Sequence, residues 1–247
     1  MKVVIIIPTY NEKENIGALI GALGSEHRIL VVDDNSPDGT ADVVKKTMQL
    51  SDHVAVIQGQ KEGLGRAYLR GIDYAIKNLG AEIIVQMDAD FSHDPKDVPR
   101  LLAEIESGYD LAIGSRYTEG GAIPADWELR RKILSWGGNL LVRLLTGIWG
   151  VREFTTSFRA FTVELYQKMN PENFSFADNT FLPAFVVEAV RVGAKTKEIP
   201  IVFADRRKGR SKIEVAHYVP NLLKYLLTSR LRSRSSPLTK VQGLTKS

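Results

Sequence analysis

Read as apolar and polar positions, the first 115 residues repeat one pattern. Short unbroken apolar runs alternate with stretches in which apolar residues recur every three or four positions. The runs Val3–Ile7, Ile29–Asp33, Val54–Ile57, Ile83–Met87 and Leu111–Gly114 predict strands. The stretches Glu12–Leu23, Asp38–Leu50, Gly65–Asn78 and Pro95–Glu106 predict helices, with Asn11 as N-cap of the first and Pro95 opening the last. Strands apolar throughout, each followed by a helix, predict an α/β fold: a mostly parallel twisted sheet with helices on both faces. In such sheets ligands bind beyond the carboxyl ends of the strands.

The alternation breaks after Arg116. Ile133 to Val151 is nineteen residues with one charge, Arg143, and with Trp136 and Trp149 near its ends. Its length approaches a membrane span, but Gly137, Gly138, Asn139, Thr146, Gly147 and Gly150 dilute its hydrophobicity. Two readings stay open: a helix lying in a membrane interface, or one buried under the sheet. Near the C-terminus, Val215–Leu231 mixes apolar residues with His217, Asn221, Lys224 and Arg230. There Leu222, Leu223, Leu226 and Leu227 form a stripe suited to shallow insertion into a membrane surface.

Composition narrows the classes. With 44% apolar and 25% charged residues, the 247-residue chain is that of a folded protein with ample core. Without cysteine it has no disulfides, thiolate metal sites or cysteine nucleophile. Val3 to Ile7 is too short for a secretory leader, so a cytoplasmic location is expected. The net charge of +4 is uneven: from Arg206 to Ser247 there are eleven Lys/Arg and one acid, Glu214, which leaves the body net acidic. A basic tail on an acidic body suggests an anionic partner near the C-terminus, a membrane surface or a nucleic acid, or simply a solvated tail. The acidic body and the lack of a recognition motif argue against nucleic acid.

The most informative stretch is Met87-Asp88-Ala89-Asp90-Phe91-Ser92-His93-Asp94-Pro95, directly after the fourth apolar run. Side chains two apart in extended chain point the same way, so both carboxylates can face one point. At about 4 Å they would repel by about 4 kcal/mol at an effective dielectric of about 20, so a cation belongs between them. A divalent ion with oxygen ligands is the natural candidate, and a solvated strand-end turn is the alternative. Polar clusters also end the first strand (Pro8-Thr9-Tyr10-Asn11-Glu12) and the second (Asp33-Asp34-Asn35-Ser36). Three such clusters on one sheet edge favour a site. Gly63-Leu64-Gly65 lacks the third glycine of a dinucleotide fingerprint.

VVIIIPTYNEKENI, VVDDNSPDGTADVV, EGLGRAYLRGI, QMDADFSHDP, AIGSRY, RKILSWGGN, TTSFRAF and RRKGRSK occur in this order from about Lys2 to Leu227. In these motifs the chain resembles the dolichyl-phosphate (polyprenyl-phosphate) mannosyltransferases, inverting family 2 glycosyltransferases of GT-A fold. The resemblance implies that Pro8, Tyr10 and Glu12 line a nucleotide pocket, with Val32 and Asp34 at base and ribose. It implies that Asp88, Ala89 and Asp90 form the metal and donor motif, Asp88 and Asp90 holding Mg2+ or Mn2+. Arg116, Arg206 and Lys212 would approach the donor diphosphate and acceptor phosphate, with Asp90, Arg116 and Lys212 catalytic. Arg131 would meet the acceptor phosphate. The implied partners are GDP-mannose, dolichyl or polyprenyl phosphate, a membrane surface and a membrane-protein subunit, at the cytoplasmic face.

Departures from that pattern bear on a third protein contact to the metal, at Ser92, and on the acceptor side, at Phe181 to Phe185. Relatives often carry Gln at Ser92, Asp at Glu153 and Gly at Thr156, and have polar residues within the stretch Phe181-Leu182-Pro183-Ala184-Phe185. The resemblance implies a catalytic domain over 1–212, including an acceptor-side helix near 127–149, and an amphipathic helix with a basic tail over 213–247. Transfer of glucose from UDP-glucose to the same lipid is the nearest rival function. A silent nucleotide-sugar-binding subunit is a further one.

Overall fold

The computed structural model describes residues 1–204 and 219–228. Seven strands form one sheet: β1 (Val3–Thr9), β2 (Arg28–Asp33), β3 (Val54–Gln58), β4 (Ile83–Gln86), β5 (Leu111–Ser115), β6 (Arg159–Thr162) and β7 (Thr196–Pro200). Their spatial order is β3-β2-β1-β4-β6-β5-β7. All pairings are parallel except those of β6, which runs antiparallel between β4 and β5. The expected mostly parallel α/β sheet is therefore present, with one reversed strand that its apolar pattern did not announce.

Successive residues of each strand feed opposite layers, which is why the strands read as unbroken apolar runs. Val4, Ile6, Leu30, Val32, Ile84, Ile113 and Phe161 face α3 (Leu64–Leu79), α6 (Val163–Lys168) and α7 (Phe181–Arg191). Ile5, Ile7, Ile29, Val31, Val85 and Ala160 face α1 (Lys13–Leu23), α2 (Thr40–Met48) and α4 (Val98–Glu106). Pro95 opens a short 3-10 turn, Pro95–Asp97, and α4 proper begins at Val98. Asn11 does not cap α1: it adopts φ 57 and the cap position is Glu12, without a side-chain cap bond.

The doubtful segment forms α5 (Leu129–Thr146). Of its side chains only Asn139 and Val142 are buried, so it is a surface helix and not a core one. Leu129, Ile133, Trp136 and Leu144 are 72%, 58%, 59% and 55% exposed. Their spacing puts them on one stripe of the helix. No helix among the described residues is long and apolar enough to cross a membrane.

Residues 219–228, the last of the described residues, form a helix, α8, against the body. Here the apolar stripe divides: Leu222 and Leu226 sink into the core with Tyr225, while Leu223 and Leu227 face outward. The stripe expected to enter lipid is thus half core, because one face of the helix packs inward on the loop around Phe176, whose ring lies 5.2 Å from that of Tyr225; Asn221 Nδ2 donates to Asp178 Oδ2 at 2.7 Å. The expected domain boundary after Lys212 lies outside the described residues.

Candidate active site

The strand order reverses between β1 and β4, and the polar strand ends gather at that switch point. The first two are tied together by Asp33, wholly buried. Its Oδ1 accepts from the Thr9 hydroxyl at 2.9 Å, and its Oδ2 accepts from the Ser36 N–H at 2.9 Å. Asp34 N–H donates to the Thr9 carbonyl at 3.0 Å. Non-glycine residues with positive φ occur only at these strand ends among the described residues: Asn11 (57°), Asn35 (52°) and Phe91 (62°). Asparagine tolerates this region; for Phe91 it is strained, as backbone at functional sites often is.

Of the residues expected in the nucleotide pocket, Pro8 is the penultimate residue of β1, beside Val32 of β2. Tyr10 lies under Lys61, whose Nζ stands 3.8 Å from the ring centroid. The Glu12 carboxylate accepts from Asn15 Nδ2 at 2.9 Å. Asp34 pairs with Arg70 of α3; burial raises its pKa against the pull of that guanidinium. Val32 is placed differently. Its side chain is fully buried and lies under Gly71 of α3, so it faces the core and any nucleotide contact falls to its backbone.

β4 stops at Gln86, so Asp88, Ala89 and Asp90 leave it in a turn and not as extended strand. The two-residue spacing therefore does not by itself align the carboxylates; separate contacts place each of them. Ser92 donates to Asp90 Oδ1 through its hydroxyl (2.6 Å) and its N–H (3.0 Å). Tyr68 of α3 donates to Asp88 Oδ1 at 3.3 Å, and burial, with Asp88 nearby, drives its phenol pKa well above the usual value. Ala89 is buried in the layer beneath.

His93 sits at the centre. Both carboxylates act on its charge, its Nδ1 accepts the Asp88 N–H at 3.4 Å, and its ring stacks on Phe158 at 4.9 Å. Burial lowers its pKa, which keeps it neutral. With Nδ1 as acceptor, the ring proton belongs on Nε2. His93 thus braces the acidic loop and offers no Nδ1 to a metal.

Arg116 follows β5 directly and is buried. Its Nε and Nη2 donate to the two oxygens of Glu153 at 2.8 and 2.9 Å, a bidentate pair that holds the Glu153 pKa low despite burial. Arg131 lies further out, exposed, its guanidinium 3.6 Å from the Trp127 ring centroid. From there rings continue inward: Trp127 to Phe203 at 5.6 Å, and Phe203 to His93 at 5.4 Å. Beyond β7 the chain crosses the same region, where Ala204 N–H donates to the Ser92 carbonyl at 3.1 Å. Arg206 and Lys212 follow outside the described residues.

Sequence reading gave Tyr68 and Arg159 no role and marked Glu153 only as a departure from the family pattern. A tyrosine on the buried face of α3, beside Ala67, Gly71, Ile72 and Ala75, needs a partner for its hydroxyl, and that was a usable signal. Glu153 gave no such signal, because in Val151-Arg152-Glu153-Phe154 it follows an arginine and reads as a surface charge. Arg159 is fully buried on β6 behind Asp88; its Nη1 donates to the Leu182 carbonyl at 3.1 Å, and burial lowers its pKa to about 10. Gly63 and Gly65 are packing residues: a Cβ on Gly65 would lie 1.9 Å from the Phe176 carbonyl oxygen, and Gly65 N–H donates to Ala177 at 2.9 Å.

Known proteins share this frame. The family model for glycosyl transferase family 2 matches residues 4–169. The chain is 38% identical over 217 residues to polyprenol monophosphomannose synthase of Mycolicibacterium smegmatis, covering 86% of this chain and 81% of that protein. It is 35% identical over 244 residues to undecaprenyl-phosphate mannosyltransferase of Micrococcus luteus, covering 95% and 99% respectively. Glucosyl-3-phosphoglycerate synthase from Mycobacterium tuberculosis, solved with Mn2+, UDP-glucose and phosphoglyceric acid, superimposes with a TM-score of 0.69. The match covers 93% of this chain and 79% of that one at 17% identity, a likeness of GT-A fold alone. With its strand-end carboxylates on a GT-A sheet, the chain belongs to glycosyltransferase family 2.

Proposed function

We propose that the chain transfers mannose from GDP-mannose to dolichyl or polyprenyl phosphate, with inversion, at the cytoplasmic face of a membrane. One observation carries the reading: Asp88 and Asp90 stand at the β1/β4 switch point beside the polar ends of β1 and β2. Such an arrangement suits a nucleotide diphosphate, and the relatives named as prenyl-phosphate mannosyltransferases support the choice of sugar and acceptor.

The residues suit a divalent cation, Mg2+ or Mn2+. Asp88 and Asp90 offer hard carboxylate oxygens, and His93 Nδ1 is engaged by the Asp88 N–H. Among the described residues no cluster of three or more His, Asp or Glu side chains forms a protein cage, so phosphate oxygens and water would complete the shell. When bound, the cation would offset charge gathering on the departing diphosphate.

The chain's own groups do the rest. Tyr68 and Ser92 hold the two carboxylates, and Arg116 presents fixed positive charge near Asp88. Arg131, at the start of α5, is assigned to the acceptor phosphate, with Arg206 and Lys212 completing the cationic side. A prenyl phosphate oxygen is already anionic at neutral pH, so attack needs no strong base. It does need two anions held in line, which fixed cations accomplish. The apolar stripe of α5, flanked by Arg130, Lys132 and Arg143, suits shallow insertion beside that acceptor.

Calorimetry with GDP-mannose and UDP-glucose, each with and without Mn2+, tests the donor. Metal-dependent binding of GDP-mannose is expected. Tighter binding of UDP-glucose would redirect the reading to glucose transfer, and binding of neither would overturn it.

A further inference from the structure

We propose that Glu153 is a positioning residue for the transfer reaction, fixing the direction in which Arg116 presents its charge. The inference rests on the reading that Arg116 serves the phosphates. Glu153 comes from the loop before β6, thirty-seven residues beyond Arg116, and has no exposed surface.

The contacts leave the pair little freedom. Arg116 gives one edge of its guanidinium to Glu153, Nε at 2.8 Å and Nη2 at 2.9 Å, and Nη2 also reaches Thr155 Oγ1 at 2.8 Å. The rings of Tyr117 and Phe203 flank the guanidinium at 5.4 and 5.2 Å. Glu153 Oε1 in turn accepts from Thr155 N–H at 3.0 Å, Thr155 Oγ1 at 2.8 Å and, at 3.4 Å, Asn139 Nδ2 of α5. Its own N–H is held by Glu198 of β7 at 2.9 Å. A planar fork clamped along one edge and flanked by rings has one orientation. The clamp therefore draws on α5, the loop before β6, and β7, and it aims the remaining edge of Arg116 away from Glu153.

Charge alone predicts the opposite result from positioning. Glu153 cancels much of the positive charge of Arg116, so removing its charge should favour anions in the site. If Glu153 instead fixes orientation, its loss should slow the reaction although the site becomes more positive.

The test is a double-mutant cycle on turnover, using Glu153→Gln, Arg116→Ala and the double variant. Transfer from GDP-mannose to polyprenyl phosphate is followed in detergent, with folding checked by thermal melts. Glu153→Gln is expected to lower kcat by about ten- to a hundredfold while GDP-mannose affinity stays within about twofold. In the Arg116→Ala background the same change should cost nothing further. Independent, multiplying effects, or an unchanged kcat in folded Glu153→Gln, would overturn the proposal. Wild-type turnover by Arg116→Ala would instead refute the role of Arg116 itself. Should Glu153→Gln fail to fold, Thr155→Val removes the hydroxyl shared by the pair. It should lower kcat only when Arg116 is present, and an equal fall in both backgrounds would sink the inference.

Discussion

The hydroxyl of Tyr68 meets Asp88 Oδ1 at 3.3 Å, joining the middle of α3 to the acidic loop after β4. The phenol is buried and stays protonated, so it acts as a donor that orients the carboxylate. Partners that orient metal-binding carboxylates typically matter about 10- to 100-fold in metal affinity. Tyr68→Phe keeps the stack on Phe181, 5.7 Å between centroids, and should preserve the fold. It should weaken Mn2+-dependent nucleotide binding by about tenfold. A calorimetric Mn2+ titration checks this, and unchanged affinity would contradict it.

Asp90 is held by Ser92 through two hydrogen bonds to one oxygen. Asp90→Asn leaves the shape of the loop but removes the charge. Transfer should fall to near background, with the melting temperature little changed and the metal effect on nucleotide binding gone. An active, metal-responsive variant would remove Asp90 from the site.

The pH dependence of stability should report on His93. Burial lowers its pKa in the folded chain below the ordinary 6.5, so on acidification the unfolded chain takes up this proton first. The contribution is complete above about 6.5 and is lost as pH falls through the folded value. Glu153, also depressed, loses its contribution at lower pH, below the ordinary carboxylate value of 4.5. Melting temperature should therefore decline from about pH 6.5 downward. His93→Asn, which keeps an acceptor near Nδ1, should flatten the decline over the interval just below about pH 6.5. A wild-type melting temperature level across that interval would contradict the assignment.

The apolar stripe of α5 predicts a selective defect. Replacing Ile133 and Trp136 with serine should weaken flotation with anionic liposomes while leaving GDP-mannose binding intact, since both side chains are largely exposed and make no core contact. Equal flotation of the two proteins would remove α5 from the docking surface.

How legible this was in the sequence depended on the distance between partners. β1 to β5 could be read because each carries an unbroken apolar run, and in β1, β2, β4 and β5 that run is buried on both faces. The polar strand ends followed from the same pattern. β6 was hidden because it carries Arg159, a charge that periodicity assigns to the surface but that here lies under α7. Tyr68 with Asp88 and Arg116 with Glu153 are separated by 20 and 37 residues, and local spacing says nothing of such pairs. The division of Leu222 and Leu226 from Leu223 and Leu227 likewise needed the packing surface of α8, which only the tertiary fold supplies.

The central claim is mannose transfer to a prenyl phosphate, and direct product analysis tests it. The purified 247-residue chain is incubated with GDP-mannose, polyprenyl phosphate and Mn2+ in detergent, and the lipid fraction is examined by mass spectrometry and NMR. The account predicts a β-linked polyprenyl phosphomannose that requires the metal and is not made with UDP-glucose as donor. A lipid fraction that gains no mannose, or gains glucose in its place, would contradict it.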